Sequence, residues 1–341
     1  MKAYLERISE GQSLTELEMR DAIEKIFADE VSDSEIAALM IGLKMKGETV
    51  EEIAGIANAL RSKSFSFSKK IPNVMDNCGT GGDRSQSFNI SSTSAFVIAG
   101  AGIPVAKHGN RSITSKTGSA DVLEYLGISL NFSQEAIEEL LEEIGIAFLF
   151  APNVHPHLKR IMKVRMDLRI PTTFNLIGPL TNPVDLHSQL LGIYRSDLID
   201  MFANVLQNLG RERAVVLTGA GNMDEASLQG ETEMALLENG NIRKIVLHPE
   251  EVGLQVMSNE QIRGGDAKEN ADILVRILKG EKGPYRETVL LNAGIAIFAN
   301  GKVDSIKEGV QLAGEIIDSG SALSKLEQLV EKSKSFQMGV R

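Results

Sequence analysis

From Val74 onward, short apolar runs alternate with segments of helical length, and this alternation constrains the fold more than any other feature of the sequence. The apolar runs lie at 105–109, 146–150, 189–194 and 214–219, with helical patterns at 133–144 and 196–209 between them. Such alternation is typical of an α/β fold, in which helices connect parallel strands. A strand pair is predicted within 227–247, around Asn239-Gly240-Asn241, and mostly helix over 266–333. We therefore predict a central, mostly parallel sheet covered by helices.

The first 65 or so residues predict helices only. Three pairs have capping-box spacing, in which a Ser or Thr precedes a Glu by three residues: Ser13 and Glu16, Ser32 and Glu35, Thr49 and Glu52. Residues 62–73 are Ser-rich and basic and are predicted to be a linker. We predict a small helical domain at 1–68, joined by helices from about 155–188. The larger α/β domain is predicted at 74–154 and 189–341.

The composition argues against a disulfide-linked protein and against a protein that binds nucleic acid or anionic membranes. The chain has 341 residues, a net charge of −10 and one cysteine, Cys78. A single cysteine excludes a disulfide within the chain and fits a reducing compartment. The acidic balance argues against nucleic-acid and anionic-membrane partners. The 22 uncharged residues from Ser85 to Ala106 include Gln86 and Asn89, so we predict that they are buried in the protein and do not span a membrane. No apolar signal segment is visible at the N-terminus, and we expect a cytoplasmic protein.

A glycine-rich loop follows the first predicted strand. Gly79, Gly81 and Gly82 occupy three of four positions, and a helix rich in Ser and Thr is predicted to begin near Asn89. Glycines allow backbone N–H groups to approach an anion closely, and the helix N-terminus adds unpaired donors. The loop therefore indicates a phosphate or pyrophosphate site, although an ordinary strand-to-helix turn has the same appearance. Neither a Walker A motif nor a GxGxxG motif is present.

A second, basic loop begins at Lys107, directly after the strand at 104–106, and extends to Asp121. No acidic residue lies between Asp83 and Asp121, while Arg84, Lys107, Arg111 and Lys116 give this stretch a charge of +4. Loops at the carboxyl ends of parallel strands are the usual place for an anionic ligand. A solvated surface loop is the alternative.

The segment 155–169 predicts a helix with arginines in its apolar stripe. Leu158, Ile161, Met162 and Leu168 share one face, and Arg165 and Arg169 lie within it. A buried guanidinium needs a partner, because an unpaired buried charge is costly. That partner is either an internal carboxylate or an acidic group of a ligand.

Two adjacent carboxylates, Asp224 and Glu225, follow the predicted strand at 214–219. Beside a phosphate site such a pair suits Mg²⁺, which shares its coordination among carboxylates, water and ligand phosphates. On their own, adjacent acidic residues in a loop are usually solvated surface.

Several motifs in register give the chain a family resemblance. GTGGD, SFNIS, KHGNRSITSKTGSADVLEYLG, Arg165, IGPLTNP (177–183) and MDEASL closely resemble the anthranilate phosphoribosyltransferase family, in order and spacing, from about residue 74 to 230. The helical N-terminus and the tail at 308–323 extend the resemblance to nearly the whole chain. Arg84, Ser87, Ser92 and Thr114 depart from the family's more usual residues, but positions 87, 92 and 114 keep a hydroxyl.

The resemblance implies a phosphoribosyltransferase fold with helix-mediated homodimers. It also implies the Mg²⁺-dependent transfer of a phosphoribosyl group from 5-phosphoribosyl 1-diphosphate to the amine of anthranilate, with release of pyrophosphate, in tryptophan synthesis. No acid–base residue is implied, and Asn110 and Arg165 would position the substrate. Anthranilate would be bound by Gly79, Asn110 and Arg165, and magnesium by Ser91, Asp224 and Glu225. The diphosphate would be bound by Gly79, Gly82, Asp83, Ser87, Asn89, Ile90, Ser91, Ser92, Lys107, His108, Gly109, Asn110, Arg111, Ser112, Ile113, Thr114, Ser115 and Ser119.

Two alternatives remain open at this point. A pyrimidine-nucleoside-phosphorylase-like enzyme would have a similar layout, but the KHGNR loop and the Asp224–Glu225 pair favour a diphosphate with Mg²⁺. A non-catalytic nucleic-acid-binding relative would require a broad basic surface, and this chain is acidic.

Overall fold

The computed structural model describes residues 1–111 and 117–338, and the statements below concern those residues. Its strands are β1 (Met75–Gly79), β2 (Val105–Gly109), β3 (Ile146–Phe150), β4 (Ser188–Gly192), β5 (Arg213–Thr218), β6 (Thr232–Glu238) and β7 (Asn241–Leu247). Its helices are α1 (Lys2–Ser9), α2 (Glu16–Phe27), α3 (Asp33–Lys46), α4 (Val50–Ser62), α5 (Ile90–Gly100), α6 (Ser119–Tyr125), α7 (Gln134–Glu143), α8 (Ala151–Val154), α9 (Lys159–Leu168), α10 (Ile199–Asn208), α11 (Ala267–Leu278), α12 (Pro284–Asn300), α13 (Ile306–Asp318) and α14 (Ser321–Met338).

The described strands form one sheet in the order β3-β2-β1-β4-β5-β6-β7. Strands β1 to β5 run parallel, and β6 and β7 complete one edge in antiparallel pairing. The predicted α/β class with a mostly parallel sheet is confirmed. Asn239 and Gly240 both have positive φ (52° and 72°), as the tight turn between β6 and β7 requires.

The order in which the strands are added to the sheet reverses at β1. The chain continues from β1 to β2 and β3 on one side, and β4 and β5 lie on the other. Loops that leave the carboxyl ends of β1 and β4 therefore diverge and open a crevice, which is where open α/β sheets bind ligands. Gly79 of β1 and Gly192 of β4 are register partners at this edge.

The N-terminal helices share one apolar core with a later part of the chain. The core of α1–α4 includes Met19, Ile36 and Leu39, and it also includes Ile161 of α9 and Phe174. The segment around 161–177 therefore packs against helices that precede it by more than 100 residues.

Two of the three predicted capping boxes open their helices. Ser32 with Glu35 caps α3, and Thr49 with Glu52 caps α4. The third prediction is wrong, because α2 is capped by Thr15 with Glu18 instead of Ser13 with Glu16. Leu14, which precedes this cap, and Met19, four positions into the helix, are both buried in the same core, in the arrangement of a hydrophobic staple.

Helices cover both faces of the sheet. At β4, β5 and β6 the larger core lies on one face, with α5, α11, α12, α13 and α14, and a smaller core lies on the opposite face, with α10 and part of α4. Helix α5 belongs to the long uncharged stretch and is almost wholly buried, as predicted. No helix among the described residues has the length and apolar character needed to cross a membrane.

Candidate active site at the ends of the first and fourth strands

Asp224 lies directly against the glycines that end β1 and β4. A Cβ atom added to Gly79 would come within 2.7 Å of Asp224 Cγ, and one added to Gly192 within 2.5 Å of the Asp224 carbonyl carbon. Only glycine leaves room at either position. Because Gly79 and Gly192 have no side chains, the Asp224 carboxylate can lie at the carboxyl edge of the sheet, in the crevice.

The glycine-rich loop (residues 79–89) folds over this carboxylate. The Gly81 N–H donates to Asp224 Oδ2 at 2.6 Å, and the Thr80 N–H donates to the Gly192 carbonyl at 2.9 Å. Asp83 follows, and its Oδ1 accepts the Ser85 N–H at 3.1 Å. The other oxygen, Asp83 Oδ2, is buried and has no hydrogen-bond partner among the described residues. The glycine-rich loop therefore closes over Asp224 and brings a second carboxylate, that of Asp83, close to it.

Glu225 is held at the N-terminus of α5. Its Oε1 accepts the Ser91 N–H at 3.1 Å, so the helix gives one of its free donors to a carboxylate. Lys107 approaches from β2 and is almost fully buried. Its Nζ donates to the Asn77 carbonyl at 2.6 Å and to Ser91 Oγ at 3.3 Å. Strand β2, helix α5 and the loop after β5 thus bring Lys107, Ser91 and Glu225 together.

The carboxylates at this edge resist ionisation. Burial raises the pKa of Glu225 to about 7, although the nearby Lys107 ammonium acts in the opposite direction. Burial, and then the charges of Asp83 and Glu225, raise the pKa of Asp224 well above its usual range. Clustered carboxylates of this kind would be stabilised in their charged form by a cation.

The residues fit a magnesium ion that is completed by a ligand. In the described part of the chain no three His, Cys, Asp or Glu side chains are placed to hold a metal by themselves. Mg²⁺ does not need such a cage, because one or two carboxylates with water and substrate phosphates commonly suffice. Asp224 and Glu225 meet this requirement.

The other predicted residues of the glycine-rich loop differ in their burial and in their hydrogen-bond partners. Asn89 Oδ1 accepts from Asn270 Nδ2 at 2.9 Å, and Ser87 pairs in a β-bridge with Arg263. Ile90 and Ser92 are buried in α5, and Ser92 Oγ has no hydrogen-bond partner among the described residues. Gly82 has a positive φ of 85° and lies near the Tyr194 ring.

The basic loop is tied to α6 in its described part. Ser119 Oγ donates to the Asn110 carbonyl at 3.2 Å, and the Asn110 side chain is exposed. Gly109 leaves no room for a Cβ atom, which would lie 2.6 Å from the Phe148 ring. The Arg111 guanidinium pairs with Asp121 and Glu124, at 2.5 and 2.9 Å, so its charge is already neutralised. The predicted residues Ser112, Ile113, Thr114 and Ser115 lie outside the described residues.

The side chain of His108, like that of Lys107, is buried. Its Nδ1 donates to the Gly178 carbonyl at 3.2 Å, and its ring meets that of His155 edge-on, with centroids 5.3 Å apart. Burial lowers the pKa of His108 to about 3 and that of His155 to about 4, so both imidazoles are neutral.

Arg165 is half-buried in α9, as its position in the apolar stripe predicted. Burial lowers its pKa, and its guanidinium donates only to Met162 Sδ, at 3.2 Å, among the described residues. It has no hydrogen bond or ion pair with the described parts of the two loops. Arg169 was predicted in the same stripe, and this is wrong: it is exposed and ends the helix with a left-handed φ of 53°. Val164 takes a buried place instead.

The segment 262–265 borders both loops and was not predicted from the sequence. The Ile262 carbonyl accepts the Phe88 N–H at 3.1 Å, and the Gly264 N–H donates to the Gln86 carbonyl at 2.8 Å. Thr117 Oγ1 donates to the Gly265 carbonyl at 3.0 Å. The pair Gly264-Gly265 was the available signal, because it allows this close approach.

Comparison with known proteins agrees with this geometry. Two family models match the chain: a glycosyl transferase family helical bundle domain over residues 2–64 and a glycosyl transferase family α/β domain over residues 71–323. An anthranilate phosphoribosyltransferase of Exiguobacterium sibiricum is 58% identical over 339 residues, covering 99% of this chain and 100% of the relative. This chain belongs to the anthranilate phosphoribosyltransferase family.

Solved structures of the anthranilate phosphoribosyltransferase family share the whole fold. The enzyme of Thermus thermophilus superposes with a TM-score of 0.92 at 39% identity, over 97% of this chain and 99% of that one. The enzyme of Saccharomyces cerevisiae, solved in complex with PRPP and Mg, gives 0.90 at 27% identity, over 98% and 97%. The chain is therefore a glycosyltransferase with a helical N-terminal part and a larger α/β part.

Proposed function

We propose that this chain transfers the phosphoribosyl group of 5-phosphoribosyl 1-diphosphate to the amine of anthranilate, in tryptophan synthesis, and that it requires Mg²⁺. The observation that carries the proposal is the position of Asp224 and Glu225. They lie at the crevice between β1 and β4, beneath a glycine-rich loop, beside the N-terminus of α5 and beside the buried Lys107. Relatives support it, since one yeast family member was solved with PRPP and Mg and another structure of it with 4-fluoroanthranilate.

The proposed ligand sets follow the family pattern. Magnesium would be held by Ser91, Asp224 and Glu225, and anthranilate by Gly79, Asn110 and Arg165. Arg165 supports its assignment because it is half-buried and has no carboxylate partner among the described residues, so a ligand carboxylate would supply one. The diphosphate would be bound by Gly79, Gly82, Asp83, Ser87, Asn89, Ile90, Ser91, Ser92, Lys107, His108, Gly109, Asn110, Arg111 and Ser119.

The reaction needs positioning and charge stabilisation more than a strong base. The bond from C1 of the ribose to the pyrophosphate oxygen breaks with its electron pair on the oxygen, and C1 becomes oxocarbenium-like. The anthranilate nitrogen forms the new bond and then loses a proton to solvent. When bound, Mg²⁺ would offset charge on the leaving pyrophosphate. Backbone N–H groups of the glycine-rich loop and Lys107 would orient the donor, and Arg165 would orient the acceptor.

The decisive experiment follows the fluorescence of anthranilate in the presence of 5-phosphoribosyl 1-diphosphate. We expect a loss of fluorescence that requires both Mg²⁺ and the donor. The double variant Asp224→Asn with Glu225→Gln should need far more Mg²⁺ for the same rate. Glu231→Gln with Glu233→Gln, which neutralises two exposed carboxylates nearby, is the matched control. A rate independent of Mg²⁺, or an equal effect of both double variants, contradicts the proposal.

We also propose the predicted domain division and a cytoplasmic homodimer. The shared core of α1–α4 with residues 161–177 supports a helical domain at 1–68 joined by about 155–188, with the α/β domain at 74–154 and 189–341. Leu17, Met45 and Met166 are exposed on helices that contribute to this core, where a second copy could cover them. The lone, unpaired Cys78 suits a reducing compartment. Light scattering of the purified chain tests the dimer.

A further inference from the structure

Asn270 is a buried polar residue to which the proposed function gives no role. It lies in the first turn of α11, and only 2% of it is exposed to solvent. The segment 262–265, which borders both loops of the site, leads into this helix. Burial of an amide is costly unless its polar atoms have partners, so the partners of Asn270 show what holds this side chain in place.

One backbone group fixes the orientation of the Asn270 amide. The Gly265 N–H donates to Asn270 Oδ1 at 2.8 Å. A backbone N–H can only donate, so the amide oxygen faces Gly265 and the amide nitrogen points away from it. Gly264 allows this packing, because a Cβ atom there would lie 2.6 Å from Asn270 Oδ1. The amide of Asn270 therefore has a single favourable orientation, with its donor towards the glycine-rich loop.

The donor of Asn270 meets the last residue of the glycine-rich loop. Asn270 Nδ2 donates to Asn89 Oδ1 at 2.9 Å, which occupies the oxygen of the Asn89 amide. No described residue accepts a hydrogen bond from Asn89 Nδ2, and Asn89 is only half-buried. The Asn89 amide thus has its oxygen occupied and keeps its N–H donors for a ligand.

Asn89 also occupies the N-cap position of α5, where an asparagine oxygen usually accepts an N–H of the first helical turn. Here the side chain makes no such bond. The Ser91 N–H donates to Glu225, and the Ser92 N–H has no acceptor among the described residues. Because Asn270 takes the oxygen of Asn89, a donor stays free at the start of α5, and donors at helix N-termini bind phosphate groups.

We infer that Asn270 is a positioning residue for the diphosphate donor: it holds the oxygen of Asn89, so that the Asn89 amide nitrogen and the Ser92 N–H remain as donors for the ligand. This inference rests on the proposed function, in which Asn89 and Ser92 bind the diphosphate. Diphosphate oxygens only accept hydrogen bonds, so a reversed Asn89 amide would present its own oxygen to them and weaken binding. Among the described residues Asn270 makes no hydrogen bond to Lys107 or to the acidic pair, so its effect passes through Asn89.

The kinetic test uses Asn270→Asp in the full chain. The new carboxylate can still accept the Gly265 N–H, but it cannot donate to Asn89, so the Asn89 amide should turn and donate to it. We expect KM for the diphosphate donor to rise about ten-fold, with KM for anthranilate within about two-fold of the original. Asn270→Ala releases the Asn89 amide without reversing it and should raise the donor KM about four-fold. A merely structural role would give the opposite order, because alanine loses both hydrogen bonds.

A spectroscopic measurement on the ligand-free chain reports the amide directly. In ¹H–¹⁵N spectra of the chain labelled with ¹⁵N-asparagine, Asn89→Ala assigns the side-chain amide signal of Asn89. In Asn270→Asp one proton of this signal should move downfield, because it then donates to a carboxylate.

Two matched controls separate the orientation of the amide from added charge and from the substitution itself. Gln261→Glu adds a negative charge at an exposed residue beside the segment 262–265. Asn300→Asp makes the same exchange at the amino ends of the strands, where the Asn300 amide nitrogen also donates hydrogen bonds. Neither control should change the donor KM or the amide signal of Asn89.

The inference is overturned if folded Asn270→Asp leaves the donor KM within about two-fold of the original, if it leaves the Asn89 signal unchanged, or if Gln261→Glu raises the donor KM as much. If Asn270→Asp is unfolded by circular dichroism, a donor KM within about two-fold of the original in Asn270→Ala overturns it. An inactive but folded parent chain would contradict the proposed function, while the Asn89 signal would still decide the action of Asn270.

Discussion

The buried histidine at the end of β2 should make the chain sensitive to mild acid. His108 has a pKa of about 3 in the folded protein because of burial, followed by the effect of His155, against 6.5 as its ordinary value. The unfolded chain therefore binds a proton at pH 5 that the native state does not. By linkage, stability is lost as the pH falls below about 6.5 and continues to be lost towards pH 3. From these two values, the loss due to His108 between pH 7 and pH 5 is about 2 kcal/mol.

The measurement is urea unfolding followed by circular dichroism at pH 7 and pH 5. Other groups also titrate in this window, and Glu225, whose pKa is raised to about 7, acts in the opposite direction. A comparison with His108→Asn isolates the histidine, because the asparagine amide can still donate to the Gly178 carbonyl. The unsubstituted chain should lose about 2 kcal/mol more than this variant. His157→Asn, at an exposed histidine, is the control. Equal losses in the chain and in His108→Asn would refute the reasoning.

Three further predictions follow from single side chains. Arg165→Ala should raise KM for anthranilate much more than KM for the diphosphate donor, and equal effects in steady-state kinetics would show that Arg165 is structural. Glu52→Gln should lower the free energy of unfolding by about 3–5 kcal/mol, because it leaves the buried Lys46 ammonium without a charged partner. The Lys46 ammonium lies 2.8 Å from Glu52 Oε2. A urea titration measures this change, and a loss below about 1 kcal/mol contradicts the prediction. Gly79→Ala should abolish transferase activity in the anthranilate fluorescence assay, because its Cβ atom would clash with Asp224. Gly178→Ala, where a Cβ atom meets open space, should remain folded by circular dichroism.

Local patterns in the sequence predicted those parts of the fold that depend on neighbouring residues. The apolar runs 105–109 and 146–150 became β2 and β3 without any change of bounds, since each is a short buried strand flanked by turns. The capping boxes at Ser32 and Thr49 were also correct, because the cap is made within four residues. The predicted cap at Ser13 was wrong because Leu14 is buried in the core, and helix α2 begins only after it.

The features of the site that could not be predicted from the sequence depend on contacts between residues far apart in the chain. Arg111 was counted as a free cation of the basic loop, yet α6 brings Asp121 and Glu124 to its guanidinium. The segment 262–265 comes to the glycine-rich loop from more than 170 residues away, and no local pattern encodes such a pairing. Arg165 was identified from its helical face alone, but its lack of a carboxylate partner among the described residues is visible only in three dimensions.

The positive charge that the sequence gives to the site is largely offset by carboxylates that pack against it in the fold. The stretch from Arg84 to Lys116 carries +4 in the sequence, but Arg111 is neutralised by two carboxylates and the Lys107 ammonium lies close to Glu225. Asp83, Asp224 and Glu225 also lie at the crevice, and each of them, when ionised, would repel a diphosphate. A site of this composition attracts the donor only when a divalent cation offsets the carboxylates. The same acidic cluster that would hold Mg²⁺ therefore makes productive binding of the donor depend on it, so metal and donor should bind cooperatively.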